Sequence, residues 1–331
     1  MIHLRTQPER WSLKTPLRDG GGLLTDLDVV VVTLTEGTVM GRGEAAGVHY
    51  HGESAQSMNE QIERMRPQIE AGVSREQLRD LLPPGGARNA VDCALWELEA
   101  MRSQRAVWQL AGLAPPRPLR TTYTIGADSP EIMASLALAF GSARALKLKL
   151  IGDELDRDRV RAVRQARPDV WLCVDANQSF TRASYAALLP TLMAERVSLI
   201  EQPFPAGSDE VLGSVVAPIP LAADESAQDL DDLPRLAGRY EFVNIKLDKC
   251  GGLTQALLMA REARRLGLEV MVGCMAGTTL AMAPAFLVGQ LAHTVDLDGP
   301  PLLRNDRPMP ALYESGNIWC PESAWGGIAC T

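Results

Sequence analysis

The chain has 331 residues and a formal net charge of −8, enough for one large α/β domain or two smaller ones. No apolar run is as long as a membrane span, and the opening residues MIHLRTQPERWSLKTP lack the apolar core of a signal peptide, so we expect a cytoplasmic protein that does not bind membranes. The acidic balance argues against nucleic-acid binding, and six cysteines without a CxxC pair or zinc spacing predict reduced thiols.

Residues 1–118 are predicted to form one unit of mixed α and β structure. The apolar runs LDVVVVTLTE and TVMGRGEA flank the turn residues EGT and predict a β-hairpin. Helical patterns follow over residues 53–72 and 85–104, and the second carries its alanine, valine and leucine residues on one face. The proline-rich stretch LAPPRPLR ends the unit.

From residue 119 to residue 304, short apolar runs alternate with helical stretches. The eight runs are TTYTIG, ALKLKL, VWLCVDA, VSLIEQP, PIPLAADES, YEFVNIKLDK, LEVMVGC and HTVDLDG. Strands that alternate with helices predict parallel pairing, and eight of them indicate a (β/α)8-type barrel, of the regular or modified TIM form. An open doubly wound sheet is the main alternative, but no glycine-rich phosphate loop follows the first strand. The tail, residues 305–331, has no strand–helix unit and is predicted to pack against residues 1–118.

Polar side chains end nearly every predicted barrel strand, and the active site of such a barrel lies at the C-terminal ends of its strands. The steps from Lys149 to Asp175, Glu201, Asp224 and Lys246 are 26, 26, 23 and 22 residues. Each step is close to one strand–helix unit. We therefore expect these five side chains to converge on one ring.

Asp175, Glu201 and Asp224 are three carboxylates on consecutive predicted strands. They cannot lie close together in the ionised form without a compensating cation. Oxygen ligands alone favour Mg²⁺, with Mn²⁺ as the alternative, over zinc. A helix cap or an arginine pair could explain any one of them, but three at barrel spacing predict a metal site.

The run LKLKL directs Lys147 and Lys149 to the same face of a strand. A lysine next to a cation and a second lysine has a lowered pKa, which suits a general base. Lys149 and Lys246 belong to the second and sixth predicted strands, roughly across the barrel. One could remove an α-proton and the other return it on the opposite face, which inverts a stereocentre. We interpret Lys249 as an exposed surface lysine.

Asp296 and Asp298 repeat this alternation with the opposite charge at the eighth predicted strand. Two carboxylates that point inward there can hold the ammonium group of a substrate. The alternative is a turn signal, because DLDGPP could simply end a strand.

The segments KLK, DAN, EQP, ADES and NIKLDKCGG stand in the order and spacing of the muconate-lactonising branch of the enolase superfamily, which the chain resembles over nearly its whole length. DLDGP narrows the resemblance to the dipeptide epimerases of the L-Ala-D/L-Glu type, as do GGARNAVDCALWELEA and VGCM. This resemblance implies a modified TIM barrel with an α+β capping domain formed by the N-terminal part and the tail. It also implies an isomerase that inverts the C-terminal residue of a dipeptide by proton transfer between two lysines through a Mg²⁺-stabilised enediolate.

The resemblance further implies a role for each candidate residue. The three carboxylates would bind one Mg²⁺ per subunit, and the lysines of the second and sixth strands would be the acid/base catalysts. Lys147 would hold the substrate carboxylate and lower the pKa of Lys149, and the two DLD carboxylates would bind the dipeptide's ammonium group. Thr124, Cys274 and Met275 would line the site.

The segment TPLRDGGGLLTD departs from the family pattern. In epimerases of acidic dipeptides, the mobile loop after the first strand carries an arginine that meets the substrate's side-chain carboxylate. Gly21 stands at the equivalent position here; Arg18 is a candidate substitute, whereas Asp19 would suit a cationic side chain. The glycine run suits a lid that opens and closes.

Several alternatives stay open at this point. The chain could epimerise apolar or cationic dipeptides, or be a cycloisomerase or an o-succinylbenzoate synthase-like member of the superfamily. A Schiff-base lyase with Lys149 or Lys246 as nucleophile and a non-catalytic binding barrel are more distant alternatives. The expected partner is a small dipeptide, and the sequence leaves a homo-oligomer open.

Overall fold

The computed structural model describes residues 1–19 and 22–328. These two ranges contain fourteen β-strands in three sheets and thirteen α-helices, several of them single turns. Within the same ranges, no helix combines the length and the apolar character needed to cross a membrane.

The N-terminal part is a three-stranded antiparallel sheet followed by helices. The strands are β1 (His3–Asp19), β2 (Gly22–Glu36) and β3 (Val39–Ala45). A 3₁₀ turn at His49–His51 precedes helices α1 (Ala55–Arg64), α2 (Arg66–Glu70), α3 (Arg75–Leu81), α4 (Gly86–Ser103) and α5 (Val107–Leu110). The hairpin predicted around EGT is confirmed between β2 and β3, and both predicted helical patterns are helical.

Strand β1 is not predicted from the sequence, and the segment TPLRDGGGLLTD is predicted as a loop. In the structure this segment ends a long β1–β2 hairpin, in which residues 17–19 pair with residues 22–24 after a register shift beyond Ser12. The polar composition of β1, with prolines at positions 8 and 16, gives no strand signal in the sequence. The extended conformation of β1 depends instead on its pairing with β2. Gly21 lies outside the described residues.

The apolar run of β2 faces two hydrophobic cores. Val29 and Val31 belong to the large core of the barrel, whereas Val30 and Val32 belong to the core beneath α1, α3 and α4. A strand buried on both faces reads as an unbroken apolar run rather than an alternating one. The β2 strand therefore joins the N-terminal part firmly to the barrel.

Helix α4 contacts β3 closely, and two glycines of β3 permit this approach. A Cβ atom on Gly43 would lie 2.1 Å from the carbonyl oxygen of Ala90, and one on Gly41 would lie 2.1 Å from that of Ala94. Both obstacles are helix backbone, which cannot move without disturbing α4. Both positions therefore require glycine, because no room is left for a Cβ atom.

We expect Gly43→Ala to lower the free energy of unfolding by about 3 kcal/mol, because the helix must shift away from the strand. The matched control is Gly213→Ala, where a Cβ atom would meet nothing within 4 Å, and we expect a change within about 0.5 kcal/mol. Urea unfolding of both variants checks the prediction. Equal stabilities would show that α4 tolerates displacement.

The barrel begins after the short strand β4 (Leu119–Arg120). Its strands are β5 (Tyr123–Ile125), β6 (Ala145–Lys149), β7 (Trp171–Asp175), β8 (Leu199–Glu201), β9 (Leu221–Ala223), β10 (Phe242–Ile245), β11 (Glu269–Val272) and β12 (Thr294–Val295). Its helices are α6 (Pro130–Ala139), α7 (Asp156–Ala166), α8 (Arg182–Ala194), α9 (Leu233–Leu236), α10 (Leu247–Cys250), α11 (Leu253–Arg265), α12 (Thr279–Gly289) and α13 (Gly299–Leu302). 3₁₀ turns lie at Asp209–Ser214 and Leu230–Asp232.

All eight predicted barrel runs contain a strand, and the strands lie in chain order in one parallel sheet. The sheet curls so that its two edges meet: Thr122 N donates to Val295 O at 3.0 Å, and Leu297 N donates to Thr121 Oγ1 at 2.9 Å. The predicted fold class, a (β/α)8-type barrel with an N-terminal capping domain, is confirmed.

The tail contacts both other parts of the chain. Strands β13 (Leu312–Glu314) and β14 (Asn317–Trp319) form a small sheet with β4. Beyond them, Trp325 Nε1 donates to Arg42 O at 2.8 Å and Gly326 O accepts from Val107 N at 2.8 Å. The domain boundaries at residues 118/119 and 304/305 stay predictions.

Candidate active site

The register of the barrel sheet places the candidate residues next to one another. Lys149 pairs with Asp175, and Asp175 pairs with Glu201, at the C-terminal ends of β6, β7 and β8. Asp224 directly follows β9 and Lys246 directly follows β10. One oxygen from each of the three carboxylates lies within 4.8 Å of the other two, and all three side chains are buried.

Three lysines pair with these carboxylates, two of them buried and Lys149 partly buried. Lys147 Nζ lies 3.0 Å from Asp175 Oδ2 and 2.8 Å from Glu201 Oε2. Lys149 Nζ donates to Asp175 Oδ2 at 2.7 Å, and Lys246 Nζ donates to Asp224 Oδ2 at 2.7 Å. The strands that carry Lys149 and Lys246 are second and sixth in a sheet of eight, so these two lysines approach the carboxylates from opposite sides of the barrel.

The pKa of Lys149 is set by opposing contributions, and the expected lowering by Lys147 is one of them. Burial lowers this pKa and so does the neighbouring Lys147, as expected, but the Asp175 carboxylate raises it, and the pKa lies above its ordinary value. The same balance of burial against Asp224 raises the pKa of Lys246 well above the ordinary value. A carboxylate in direct contact outweighs a second ammonium group further away.

Lys249 is not a surface residue, and that interpretation is wrong. Its side chain is 1% exposed, and its ammonium group donates to Asp224 Oδ1 at 2.5 Å and to Asn244 O at 3.0 Å. Burial lowers its pKa. The one-turn helix α10 reverses the chain after Lys246 and brings this fourth lysine beneath the carboxylates.

Asp296 and Asp298 lie beside this group, beyond the end of β12, and both are buried. Asp296 accepts hydrogen bonds from Lys147 Nζ, at 2.7 Å, and from Thr122 Oγ1. Asp298 Oδ2 accepts from Thr124 N at 2.6 Å, while burial and Asp296 raise its pKa to about 6. Because both carboxylates are buried, a binding role explains them better than the alternative, a turn signal in DLDGPP.

A cavity of about 480 Å³ opens above these groups. Thr124, Cys274 and Met275 line it, where the sequence places them, together with both Lys149 and Lys246. Arg18 and Asp19 belong to the β1–β2 hairpin by their backbone. Gly21 cannot be placed, since it lies beyond the described ranges.

The capping part of the cavity wall contains residues that the sequence interpretation misses. Leu17, Leu23 and Leu24 from the β1–β2 hairpin and Tyr50 from the first 3₁₀ turn all line the cavity. The three leucines lie in the segment TPLRDGGGLLTD, which the sequence marks as a lid without marking these side chains, and no sequence signal marks Tyr50. Glu225 also lines it, and its place next to Asp224 in ADES was a signal that could have marked it.

The donor set fits a divalent cation. Glu201 Oε2 is buried and accepts no hydrogen bond, although Lys147 Nζ lies 2.8 Å away at an angle unsuited to one. Burial, then the neighbouring Asp175, raise the pKa of Glu201 to about 8. Glu225 Oε2 is a second buried oxygen without a hydrogen bond. The lysines thus leave two buried carboxylate oxygens without a hydrogen bond. Oxygen donors alone suit a hard ion such as Mg²⁺.

Comparisons with known proteins agree with this geometry. The L-Ala-D/L-Glu epimerase of Escherichia coli (strain K12) is 40% identical over 311 residues, which cover 94% of this chain and 97% of that protein. An enolase family member from Agrobacterium tumefaciens with homology to dipeptide epimerases, solved with bound sodium and L-Ala-L-Glu, is 40% identical with a TM-score of 0.95, covering 98% of this chain and 100% of that one.

A third similar protein carries the metal. The dipeptide epimerase from Enterococcus faecalis V583, complexed with Mg and L-Leu-L-Tyr, is 28% identical with a TM-score of 0.88, covering 98% of this chain and 97% of that one. The family model described as Mandelate racemase / muconate lactonizing enzyme, N-terminal domain, matches residues 1–112, and the one described as Enolase C-terminal domain-like matches residues 133–327. The chain therefore belongs to the mandelate racemase / muconate lactonizing enzyme family of the enolase superfamily.

Proposed function

We propose that the protein is a dipeptide epimerase that inverts the α-carbon of the C-terminal residue, with L-Ala-D/L-Glu dipeptides as its substrates. One observation carries the proposal: two lysines from opposite sides of the barrel each contact a carboxylate of one three-carboxylate group, Lys149 with Asp175 and Lys246 with Asp224. Such an arrangement suits a reaction that needs a base on each face of one carbon atom. The similar epimerases from Escherichia coli and Enterococcus faecalis support it.

The three carboxylates of Asp175, Glu201 and Asp224 would hold Mg²⁺. When bound, Mg²⁺ would supply positive charge for the carboxylate of the substrate, where negative charge develops as the α-proton leaves. Lys147 would assist, because its ammonium group is buried within 3.0 Å of Asp175 and Glu201. Burial lowers its pKa, but Asp175, Asp296 and Glu201 together raise it well above the ordinary value. Lys147 therefore stays charged throughout.

The two outer lysines would move the proton. Lys149 acts in its neutral form, which requires loss of the proton that its contact with Asp175 favours. Its nitrogen takes the α-proton and becomes an ammonium group, while the C–H electron pair forms a double bond between the α-carbon and the carboxylate carbon, and the carbonyl electron pair moves onto oxygen to give the enediolate. The ammonium group of Lys246 then gives a proton to the opposite face of the same carbon and becomes neutral. The product has the inverted configuration, and the two lysines have exchanged protonation states, so the next substrate of the new configuration reacts in the reverse order.

The buried carboxylates of Asp296 and Asp298 would recognise the amino end of the dipeptide. Asp296 is already paired with Lys147, and one oxygen of Asp298 accepts from Thr124 N. The second oxygen of Asp298 would accept from the substrate's ammonium group. A ligand with a positive amino terminus fits this end of the cavity, which disfavours the cycloisomerase and o-succinylbenzoate synthase-like alternatives.

A dipeptide with an apolar second residue is the alternative that one observation favours. Leu23 and Leu24 line the cavity while 57% and 39% exposed. Asp26 and Asp28 line the same wall, and Asp28 is paired with Arg10 at 2.7 Å. Because Arg10 compensates Asp28, Asp26 is the carboxylate of this wall that would repel a glutamate side chain, whereas exposed leucines would cover an apolar one.

Proton exchange in D₂O tests the function and separates these substrates. We expect L-Ala-L-Glu, L-Ala-L-Leu and L-Ala-L-Lys to differ in kcat/KM by at least about tenfold, measured as loss of the α-proton signal of the second residue by NMR. N-acetyl-L-glutamate, which has no ammonium group, is the control for recognition of the amino end, and we expect slower exchange with it. Absence of exchange in every dipeptide would refute the epimerase proposal.

Three further features of the protein stay predictions. They are a cytoplasmic location, a homo-oligomer and the role of the lid. The lid residues Arg18, Asp19 and Gly21 would contribute to substrate choice. The ratios of kcat/KM among L-Ala-L-Glu, L-Ala-L-Leu and L-Ala-L-Lys measure that choice.

A further inference from the structure

Lys249 is a buried ammonium group that the proposed mechanism does not use. The chain has only five lysines, at positions 14, 147, 149, 246 and 249, and four of them lie within hydrogen-bond distance of the three carboxylates. An isolated charge this deeply buried would be costly. The contacts of Lys249 show how it is stabilised and what it holds in place.

The ammonium group of Lys249 uses all of its donors on two neighbouring strands. It donates to Asp224 Oδ1 at 2.5 Å, to the backbone carbonyl of Asp224, and to Asn244 O at 3.0 Å. Three donors and three acceptors leave no hydrogen for a substrate. Lys249 does not line the cavity, so it is not placed to transfer a proton.

The two oxygens of Asp224 are divided between two lysines. Oδ1 accepts from Lys249, and Oδ2 accepts from Lys246 at 2.7 Å. Asp175 is shared differently, because Lys149 and Lys147 both contact its Oδ2 and both line the cavity. Lys249 is therefore the one of these four lysines that contacts a carboxylate of the group without lining the cavity.

We propose that Lys249 is a positioning residue that fixes the orientation of the Asp224 carboxylate for the metal ion. This inference rests on the proposed function, since it assumes that Asp224 holds Mg²⁺. Lys249 contacts both a carboxylate oxygen and the backbone carbonyl of Asp224, and its third hydrogen bond, to Asn244 O at 3.0 Å, ties it to the next strand. These three contacts together hold the carboxylate in one orientation.

The test is the Mg²⁺ dissociation constant of the Lys249→Met variant, measured by titration calorimetry without substrate. The sign of the change separates two roles. If Lys249 contributed only charge, its removal would strengthen Mg²⁺ binding, because one positive charge near the ion would be gone. If it positions Asp224, binding weakens, and we expect a loss of about tenfold or more, as for other groups that orient metal ligands.

Two further variants keep the test decisive. Lys14→Met is the matched control, because Lys14 is exposed and lies away from the cavity, and its Mg²⁺ affinity should equal that of the wild type. Lys249→Arg keeps the charge, but a flat guanidinium group cannot match the three acceptors, so the Mg²⁺ affinity of this variant should also fall. If Lys249→Met does not fold, the Mg²⁺ affinity of Lys249→Arg tests the positioning role.

The outcomes are distinct. Weaker Mg²⁺ binding in the soluble Lys249 variants, together with a loss of kcat that excess Mg²⁺ restores, supports the positioning role. Equal or tighter binding overturns it and leaves the epimerase proposal intact. A wild-type protein that binds no Mg²⁺ would instead overturn the proposed metal site itself.

Discussion

Replacing either Lys149 or Lys246 by arginine is expected to abolish epimerisation while leaving proton exchange with one stereoisomer. Arginine keeps a positive charge beside Asp175 or Asp224, but it cannot lose a proton near neutral pH. The remaining lysine can still remove and return a proton on its own face. We expect epimerisation to fall by about 10⁴-fold, the upper range for loss of a general acid–base group.

The measurement follows both isomers of the preferred dipeptide in D₂O. One variant should exchange the α-proton of the L,L-isomer and the other that of the L,D-isomer, each with retention of configuration. Lys14→Arg serves as the control and should epimerise at the wild-type rate. If both variants exchanged the same isomer, the two lysines would not lie on opposite faces of the substrate, and the two-base mechanism would be wrong.

Replacing Glu201 by glutamine is expected to change activity and stability in opposite directions. Glutamine has nearly the same shape, but it removes one of three negative charges that would hold Mg²⁺. We expect kcat/KM to fall by about 10³-fold, because the charge that develops on the substrate is no longer compensated. Calorimetry should show correspondingly weaker Mg²⁺ binding.

The stability effect concerns the metal-free protein. Burial and then Asp175 raise the pKa of Glu201 from 4.5 to about 8, so between these values the folded protein holds a proton that the unfolded chain has lost. The contribution of Glu201 to the free energy of unfolding is therefore fully present below about pH 4.5 and is lost as the pH rises through 8. Glutamine cannot ionise, and we expect the variant to be about 2 to 4 kcal/mol more stable than the wild type at pH 8 in EDTA.

Urea unfolding at pH 5 and pH 8 with EDTA measures this difference. Burial raises the pKa of Glu225 and Asp298 in the same direction, so both proteins should lose some stability with pH, and the difference in slope isolates Glu201. A variant less stable than the wild type at pH 8 would contradict the burial argument. Wild-type Mg²⁺ affinity in the variant would contradict the proposed role of Glu201 at the metal.

The barrel was predictable from the sequence because each strand carries its own local signal. In LKLKL, the leucines at positions 146, 148 and 150 are fully buried in the main core, so the alternating lysines point to the opposite face. The regular steps between Lys149, Asp175 and Glu201 reflect the strand–helix unit, and parallel pairing in register converts that spacing into contact. Both the alternation and the regular spacing can be recognised without knowledge of how distant segments of the chain pack.

The features that were missed depend on contacts between distant segments. Lys249 is buried because the single turn of α10 directs it under Asp224, and four residues of helix carry no periodicity that sequence reasoning could detect. Strand β1 forms through its pairing with β2, and Leu24 lines the cavity only because that hairpin extends over the barrel.

Clustering four of five lysines in the barrel interior leaves the surface of the protein almost without primary amines. Outside the chain's amino terminus, Lys14 is the one exposed lysine among the described residues, and the remaining basic residues are arginines and histidines. Reagents that acylate amines should therefore label the folded protein at Lys14 and the amino terminus, and leave Lys249, which does not line the cavity, untouched. A dye or a solid support could be coupled through these two amines without altering the arginine and histidine side chains.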